Sequence, residues 1–194
     1  MIEDISACAV LACLHSRVSV SELQEPAPTP EQQQAIFQAA LRAPDHGQLR
    51  PWRFHCVTGE ARGKLGVVLL AVEEALQGTL TEAQRNKILA RPLRAPLVLI
   101  VSAAVQSHPK IPELEQLLST ATAVEAMLLA AHAVGVGAIW RTGPSTYEPL
   151  LAEKLGLAAN EKLLGFLYLG TPKGILKPVP ALDVDDFFKP WPAA

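Results

Sequence analysis

Four short groups in this chain set a cation beside hydroxyls or ring donors: Arg17 with Ser19, Arg42 with His46, Trp140-Arg141-Thr142, and Lys173 just after Gly170. A guanidinium beside hydroxyls suits a phosphate, because its planar N–H fork matches the oxygens of the anion. Positive charge or donors beside a reducible ring do a second job, stabilising the electron density that collects when the ring is reduced. A lone surface Arg is usually a solvated charge. Four such groups at the ends of elements, each near a Gly, Ser or Thr, form a more informative set. The densest stretch is Arg42-Ala43-Pro44-Asp45-His46-Gly47-Gln48-Leu49-Arg50-Pro51-Trp52-Arg53-Phe54. Turn residues explain its prolines and glycine, but a connection does not need so many donors.

Other chemistries lack their residues. The five histidines (15, 46, 55, 108, 132) form no His-x-x-x-His or His-Glu pair, so a metal site is unsupported. There is no Walker A motif, no zinc spacing and no Gly-x-Ser-x-Gly elbow. Gly135-Val136-Gly137 follows a helical pattern and opens a strand, the reverse of a dinucleotide fingerprint, and reads as a turn.

At 194 residues, 49% of them hydrophobic, the chain is expected to form one domain with its own core. A net charge of −2 without a basic block argues against nucleic acid. The run Ala126 to Trp140 lacks Asp, Glu, Lys and Arg but spans only 15 residues. A spanning helix needs about 20, so no membrane partner is expected. The first twenty residues lack a basic leader, and Cys8, Cys13 and Cys56 are odd in number without a Cys-x-x-Cys pair. These features predict a cytoplasmic protein with reduced, mostly buried thiols.

The positioning elements follow from periodicity and punctuation. Ile2 to His15 reads as a helix with Ile2, Ile5, Ala9, Ala12 and Cys13 on one side. Thr29-Pro30-Glu31-Gln32 caps a second helix that runs to about Arg42, where Pro44 prevents continuation. Strands are expected over Trp52–Thr58, Leu97–Val101, Ala138–Trp140 and Lys162–Leu169. Helices are expected over Glu60–Gln77, from Thr81 to before Pro92, over Pro112–Val134 and over Tyr147–Leu155. The helix from Pro112 is 23 residues long, about 34 Å. Its second half is apolar on nearly every side, which favours cover from a second subunit. Residues 171–194 form a Pro-rich arm whose Phe187, Phe188 and Trp191 are expected to pack over the same or a neighbouring subunit.

With these residues in view, the chain resembles the nitroreductase family of FMN enzymes, in particular its YdjA-like branch. The resemblance rests on Arg17-x-Ser19, Glu25-Pro26-Ala27-Pro28-Thr29, Leu41-Arg42-Ala43-Pro44-Asp45-His46 leading to Pro51-Trp52-Arg53-Phe54, and Arg94-Ala95-Pro96-Leu97. It continues in Ile139-Trp140-Arg141-Thr142-Gly143 and in Gly165 to Pro172, so the ordered set spans residues 14 to 173. It implies an α+β sandwich with a mainly antiparallel sheet flanked by helices, domain-swapped into a homodimer with FMN at the subunit interface. It also implies that Arg17, Val18 and Ser19 hold the phosphate and ribityl end, and that Trp140, Arg141 and Thr142 face the same cofactor. Arg42 and His46 would reach it from the opposite subunit, and Ala130 to Gly135 matches a region assigned to NAD(P)H. The family's usual Arg-Arg-Ser is Arg17-Val18-Ser19 here, which removes one cation; Lys173 or Arg50 could replace it. The tail from Ile175 matches no motif of the family.

What the resemblance implies for activity is hydride transfer from NAD(P)H to FMN, then reduction of a small electron-poor acceptor such as a nitroaromatic or quinone. No protein nucleophile or base is required, because the cofactor carries the chemistry. Two other readings stand beside it. One is a dimeric protein of this fold that binds without redox turnover; the other is a specialised flavin enzyme that cleaves a ring, removes a halogen or modifies a cofactor.

Overall fold

Strand β3, Leu97–Ala104, lies at the middle of the sheet, and all eight of its residues are buried. It pairs antiparallel with β2 (Trp52–Thr58) on one edge and with β5 (Glu161–Pro172) on the other. β5 also carries β4 (Gly137–Arg141), and its C-terminal end carries the two-residue β1 (Leu23–Gln24), both antiparallel. The structure is a computed structural model and describes residues 7–191.

Helices cover both faces, which is why β3 can be apolar without alternation. On one face α2 (Pro30–Ala40) and α5 (Glu113–Ala133) pack on Leu97, Leu99, Val101, Leu167 and Leu169. On the other, α3 (Ala61–Gln77) and α6 (Pro149–Lys154) pack on Val98, Ile100, Phe166 and Tyr168. α4 (Glu82–Leu89) packs on α3, and α1 (Ala7–Ser16) lies on α5. The start of α2 is the expected capping box: Gln32 N–H donates to Thr29 Oγ1 at 3.2 Å, and Thr29 N–H to Gln32 Oε1 at 2.9 Å. Thr81 and Gln84 repeat it at α4. Gly78, at φ 78°, ends α3 as its sequence position predicts.

The α+β architecture agrees with the sequence reading, and several details depart from it. α2 stops at Ala40, and the expected helix over Tyr147–Leu155 is a 3₁₀ turn (Pro144–Tyr147) followed by α6. Ile2 and Ile5 lie outside the described residues; of the remaining predicted inward side of α1, only Cys13 turns toward α5, while Ala9 and Ala12 are exposed. Cys8 and Cys56 are exposed, contrary to the expectation of buried thiols, because they sit on the uncovered sides of α1 and of edge strand β2. α5 is not apolar all round: Glu125 faces outward and pairs with Arg17. Its N-terminal half nevertheless leaves Leu114 and Leu118 exposed, and α1, which lies against its C-terminal half, exposes Val10, Leu11 and Leu14. The arm does not pack on its own chain, since Phe187, Phe188 and Trp191 are 67%, 74% and 94% exposed. No helix among the described residues is long and apolar enough to cross a membrane.

Candidate functional site

The segment from Arg17 to Glu22 runs beside β4. Val20 N–H donates to the Ala138 carbonyl at 2.9 Å, and Arg141 Nη2 donates to the Ser21 carbonyl at 3.4 Å. Arg17 turns toward α5, where its Nε lies 3.5 Å from Glu125 Oε1. Neither guanidinium is complete: Arg17 Nη1 and Arg141 Nε are both buried without any hydrogen-bond partner. A buried charged donor left unpaired costs about 1–3 kcal/mol or more, so each is a place where an anion would be stabilising. Ser19 is exposed beside them. Each orphaned donor suits an anionic or electron-rich group of a nucleotide, but Arg17 turns toward α5 and Arg141 toward Tyr168 on the other side of the sheet, so they are two separate positions.

Because strand residues alternate sides, the three consecutive positions of Trp140-Arg141-Thr142 do not point together. Trp140 lies on the α5 side and donates its indole N–H to the Leu164 carbonyl at 3.1 Å. A register shift opposite Val101 and Ser102 leaves Leu164 out of the β3 ladder, which frees that carbonyl. Arg141 lies on the other side, 5.9 Å over the ring of Tyr168. Thr142 borders both of the cavities that meet here. One is an open cleft of about 940 Å³ lined by Trp140 and Thr142. The second, about 210 Å³, is lined by Arg141, Thr142, Arg91, Arg94, Ser145 and Tyr168.

Arg91 and Arg94 are functional candidates that sequence reasoning did not assign. They occupy a 3₁₀ turn, Arg91–Arg94. Residues three apart in such a turn eclipse one another, so both guanidiniums emerge on one side. The available signal was two arginines three apart around Pro92, with Pro96 following, immediately before a buried strand. Arg91 Nη1 is 2.7 Å from Glu73 Oε1, a buried carboxylate that also accepts from Ser145 Oγ at 3.2 Å. Arg94 makes no ion pair among the described residues. Three guanidiniums thus face one carboxylate. Burial pushes the Tyr168 phenol above its ordinary pKa, and the nearby Arg141, Arg94 and Arg91 pull it back down.

Arg42 and His46 are held elsewhere in the same chain. Arg42 is exposed just past α2, and His46 Nδ1 lies 2.6 Å from Glu115 Oε2 in the first turns of α5. The loop between α2 and β2 is pinned by Ser119 Oγ donating to the Pro44 carbonyl at 2.7 Å. It is pinned again by the Asp45 carboxylate, which accepts from Leu49 N–H at 3.1 Å and Arg50 N–H at 2.9 Å. Glu125, the partner of Arg17, stands ten residues beyond Glu115 on α5, about 15 Å along its axis. Within one chain, then, Arg42 and His46 do not converge with Arg17. Of the two cations that could offset Val18, Arg50 already lies 3.4 Å from Asp45. Lys173 is next to the right segment, its N–H donating to the Glu22 carbonyl at 3.0 Å. Within Ala130 to Gly135 only Ala131 is fully buried, Ala133 and Gly135 are exposed, and His132 Nε2 lies 2.9 Å from Ser16 Oγ. Among the described residues no three His, Cys, Asp or Glu side chains gather as metal ligands.

An antiparallel sheet between helix layers, with cation and hydroxyl groups along the β4 edge, defines a class that comparison with known proteins makes specific. Residues 14–171 match the model of the nitroreductase family, and the chain belongs to that family. It is 41% identical over 180 residues to an Escherichia coli (strain K12) protein named "Putative NAD(P)H nitroreductase YdjA", covering 91% of this chain and 94% of that one. The fold is shared with a nitroreductase-like family protein from Bacillus cereus at a TM-score of 0.80 and 24% identity, over 95% of this chain and 96% of that one. It is shared also with a nitroreductase with bound FMN from Bacteroides fragilis, at a TM-score of 0.72 and 23% identity, over 93% and 97% of the two chains.

Proposed function

We propose that the chain is an NAD(P)H-dependent flavin oxidoreductase that binds FMN and reduces small electron-poor acceptors such as nitroaromatics or quinones. The observation that carries this reading is the two buried, partnerless guanidinium nitrogens, one on Arg17 at the start of the Arg17–Glu22 segment beside β4 and one on Arg141 at the end of β4, where it reaches the Ser21 carbonyl. Arg17, Ser19 and the backbone at Val18 would hold the phosphate and ribityl end, with Lys173 supplying the charge that Val18 does not. Arg141, with Arg91 and Arg94, would stabilise the electron-rich edge of the reduced ring, while Trp140 and Thr142 shape the open cleft. FMN supplies two-electron transfer between NAD(P)H and the acceptor when bound, so the protein's tasks are to orient it, tune it and shield it.

The functional unit in this proposal is a homodimer. The exposed Val10, Leu11 and Leu14 of α1, the outer leucines of α5 and the three aromatics of the arm are the surfaces a second copy would cover. Such an arrangement would also bring Arg42 and His46 of one chain toward the cofactor of the other. A reduced, cytoplasmic setting suits both the NAD(P)H supply and the free thiols.

Purified protein is expected to be yellow, to contain one FMN per chain and to bleach when NADPH or NADH is added under nitrogen. Admitting a nitroaromatic or quinone should restore the colour. Protein that stays colourless after incubation with FMN would instead support a binding protein of this fold.

A further inference from the structure

The open cleft beside Trp140 has a chemistry of its own. Trp140, Tyr147 and Leu163 contribute to its wall, and Tyr147 is 71% exposed, an aromatic face with nothing stacked on it. Much of its remaining lining is apolar, and its charged groups are mostly acidic. Glu113 comes from the start of α5, Glu148 and Glu153 from the start and body of α6, and Glu161 from β5, with Lys162 the only basic side chain among the lining residues. Glu161 is already engaged, accepting from Ser102 Oγ at 2.8 Å and lying 3.7 Å from His55 Nε2. Glu113, Glu148 and Glu153 make no ion pair among the described residues, so three uncommitted carboxylates face one ammonium. The arginine-lined cavity on the far side of Thr142 has the opposite sign.

We infer that this cleft selects its acceptors by charge, favouring planar organic cations over neutral rings and neutral rings over anions of the same shape. Aromatic faces beside carboxylates are the surroundings that stabilise an organic cation, through the ring quadrupole and through charge. The volume of about 940 Å³ accommodates a molecule of two or three fused rings rather than a single small anion. A cleft lined by one sign of charge also raises the local concentration of the opposite ion, by about tenfold or more at low salt. This inference rests on the flavin oxidoreductase reading for its turnover consequences, and on the cleft alone for binding.

Two measurements test it separately. In the first, the FMN-loaded, NADPH-reduced protein is reoxidised by a neutral nitroarene, its trimethylammonium derivative and its carboxylate derivative. Each rate is normalised to that of free reduced FMN, which removes differences in intrinsic reactivity. The cationic acceptor should exceed the anionic one by about tenfold in kcat/KM at low salt, with the gap closing at high salt. The triple variant Glu113→Gln, Glu148→Gln and Glu153→Gln should cut that gap to about twofold while turning over the neutral acceptor as before. Equal normalised rates, or a gap the triple variant leaves intact, would overturn the inference while leaving the oxidoreductase reading in place. In the second, binding of N-methylacridinium is followed by its own fluorescence, without turnover. Binding that weakens about tenfold in the triple variant supports the cleft; binding that is absent or unchanged overturns it. A protein that takes up no FMN but passes this second test would sink the oxidoreductase reading alone.

Discussion

Replacing Arg17 and Arg141 together by alanine is expected to weaken FMN binding by about a hundredfold or more. Hydrogen bonds to a charged group contribute about 1.5–3 kcal/mol each, and loss of one at both sites gives at least about 3 kcal/mol. Every 1.4 kcal/mol corresponds to about tenfold in affinity. Arg17 Nη1 and Arg141 Nε have no partner to give up, so the free protein loses the half-exposed ion pair of Arg17 with Glu125 and the long hydrogen bond of Arg141 to the Ser21 carbonyl. Arg141 also forfeits its contact with Tyr168, worth about 0.5–1 kcal/mol at a partly exposed site. Titration of FMN by fluorescence quenching, with thermal melts of the flavin-free proteins, separates the two effects. Arg85→Ala, which removes only an ion pair with Glu74 on the far helices, is the control and should bind FMN normally. A double variant that binds as tightly as the parent would remove these residues from the cofactor site.

Gly165→Ala is expected to destabilise the fold by about 3 kcal/mol and to abolish flavin retention with it. Gly165 has φ +125°, a conformation that costs a side-chain-bearing residue about 1–2 kcal/mol. A Cβ there would stand 2.6 Å from the Arg141 carbonyl oxygen, 2.9 Å from Trp140 Nε1 and 3.0 Å from Thr142 Cγ2. Overpacking of that kind adds about 1–3 kcal/mol. For a chain of this size each kcal/mol moves the melting temperature by about 2–4 °C, so a fall of about 6–12 °C is expected. All three clashes fall on Trp140-Arg141-Thr142, and relieving them shifts those residues away from the cleft. A melt within 1–2 °C of the parent, on the same scaling, would mean that β4 is far more compliant than its packing indicates.

The parts of this molecule that were legible from sequence are those decided by near neighbours. β2 occupies Trp52–Thr58 as its composition predicts, and the Thr29-Pro30-Gln32 box starts α2 because all of its hydrogen bonds are local. The unbroken apolar run of β3 required cover on both faces, and helices supply it. What was not legible depends on contacts distant in sequence. β1 is two residues long and exists only because the end of β5 lies beside it. The joint cavity of Arg91, Arg94 and Arg141 brings together a 3₁₀ turn and a strand nearly fifty residues apart. The opposite facing of Arg141 against Trp140 and Thr142 was, by contrast, available from the two-residue period of a strand. The grouping of the three as neighbours in sequence obscured it. For the candidate site, residue types were readable and directions were not: Arg17 turns to Glu125 near the middle of α5 and His46 to Glu115 in its first turns, a separation that no local pattern encodes.

A crystal structure grown with excess FMN tests the central claim most directly. The account predicts a flavin phosphate accepting from Arg17 and Ser19, with Arg141 Nε no longer without a partner and Arg42 and His46 arriving from the second subunit. FMN bound at some other surface, or Arg17 and Arg141 turned to water while the seam between subunits holds no nucleotide, would contradict it.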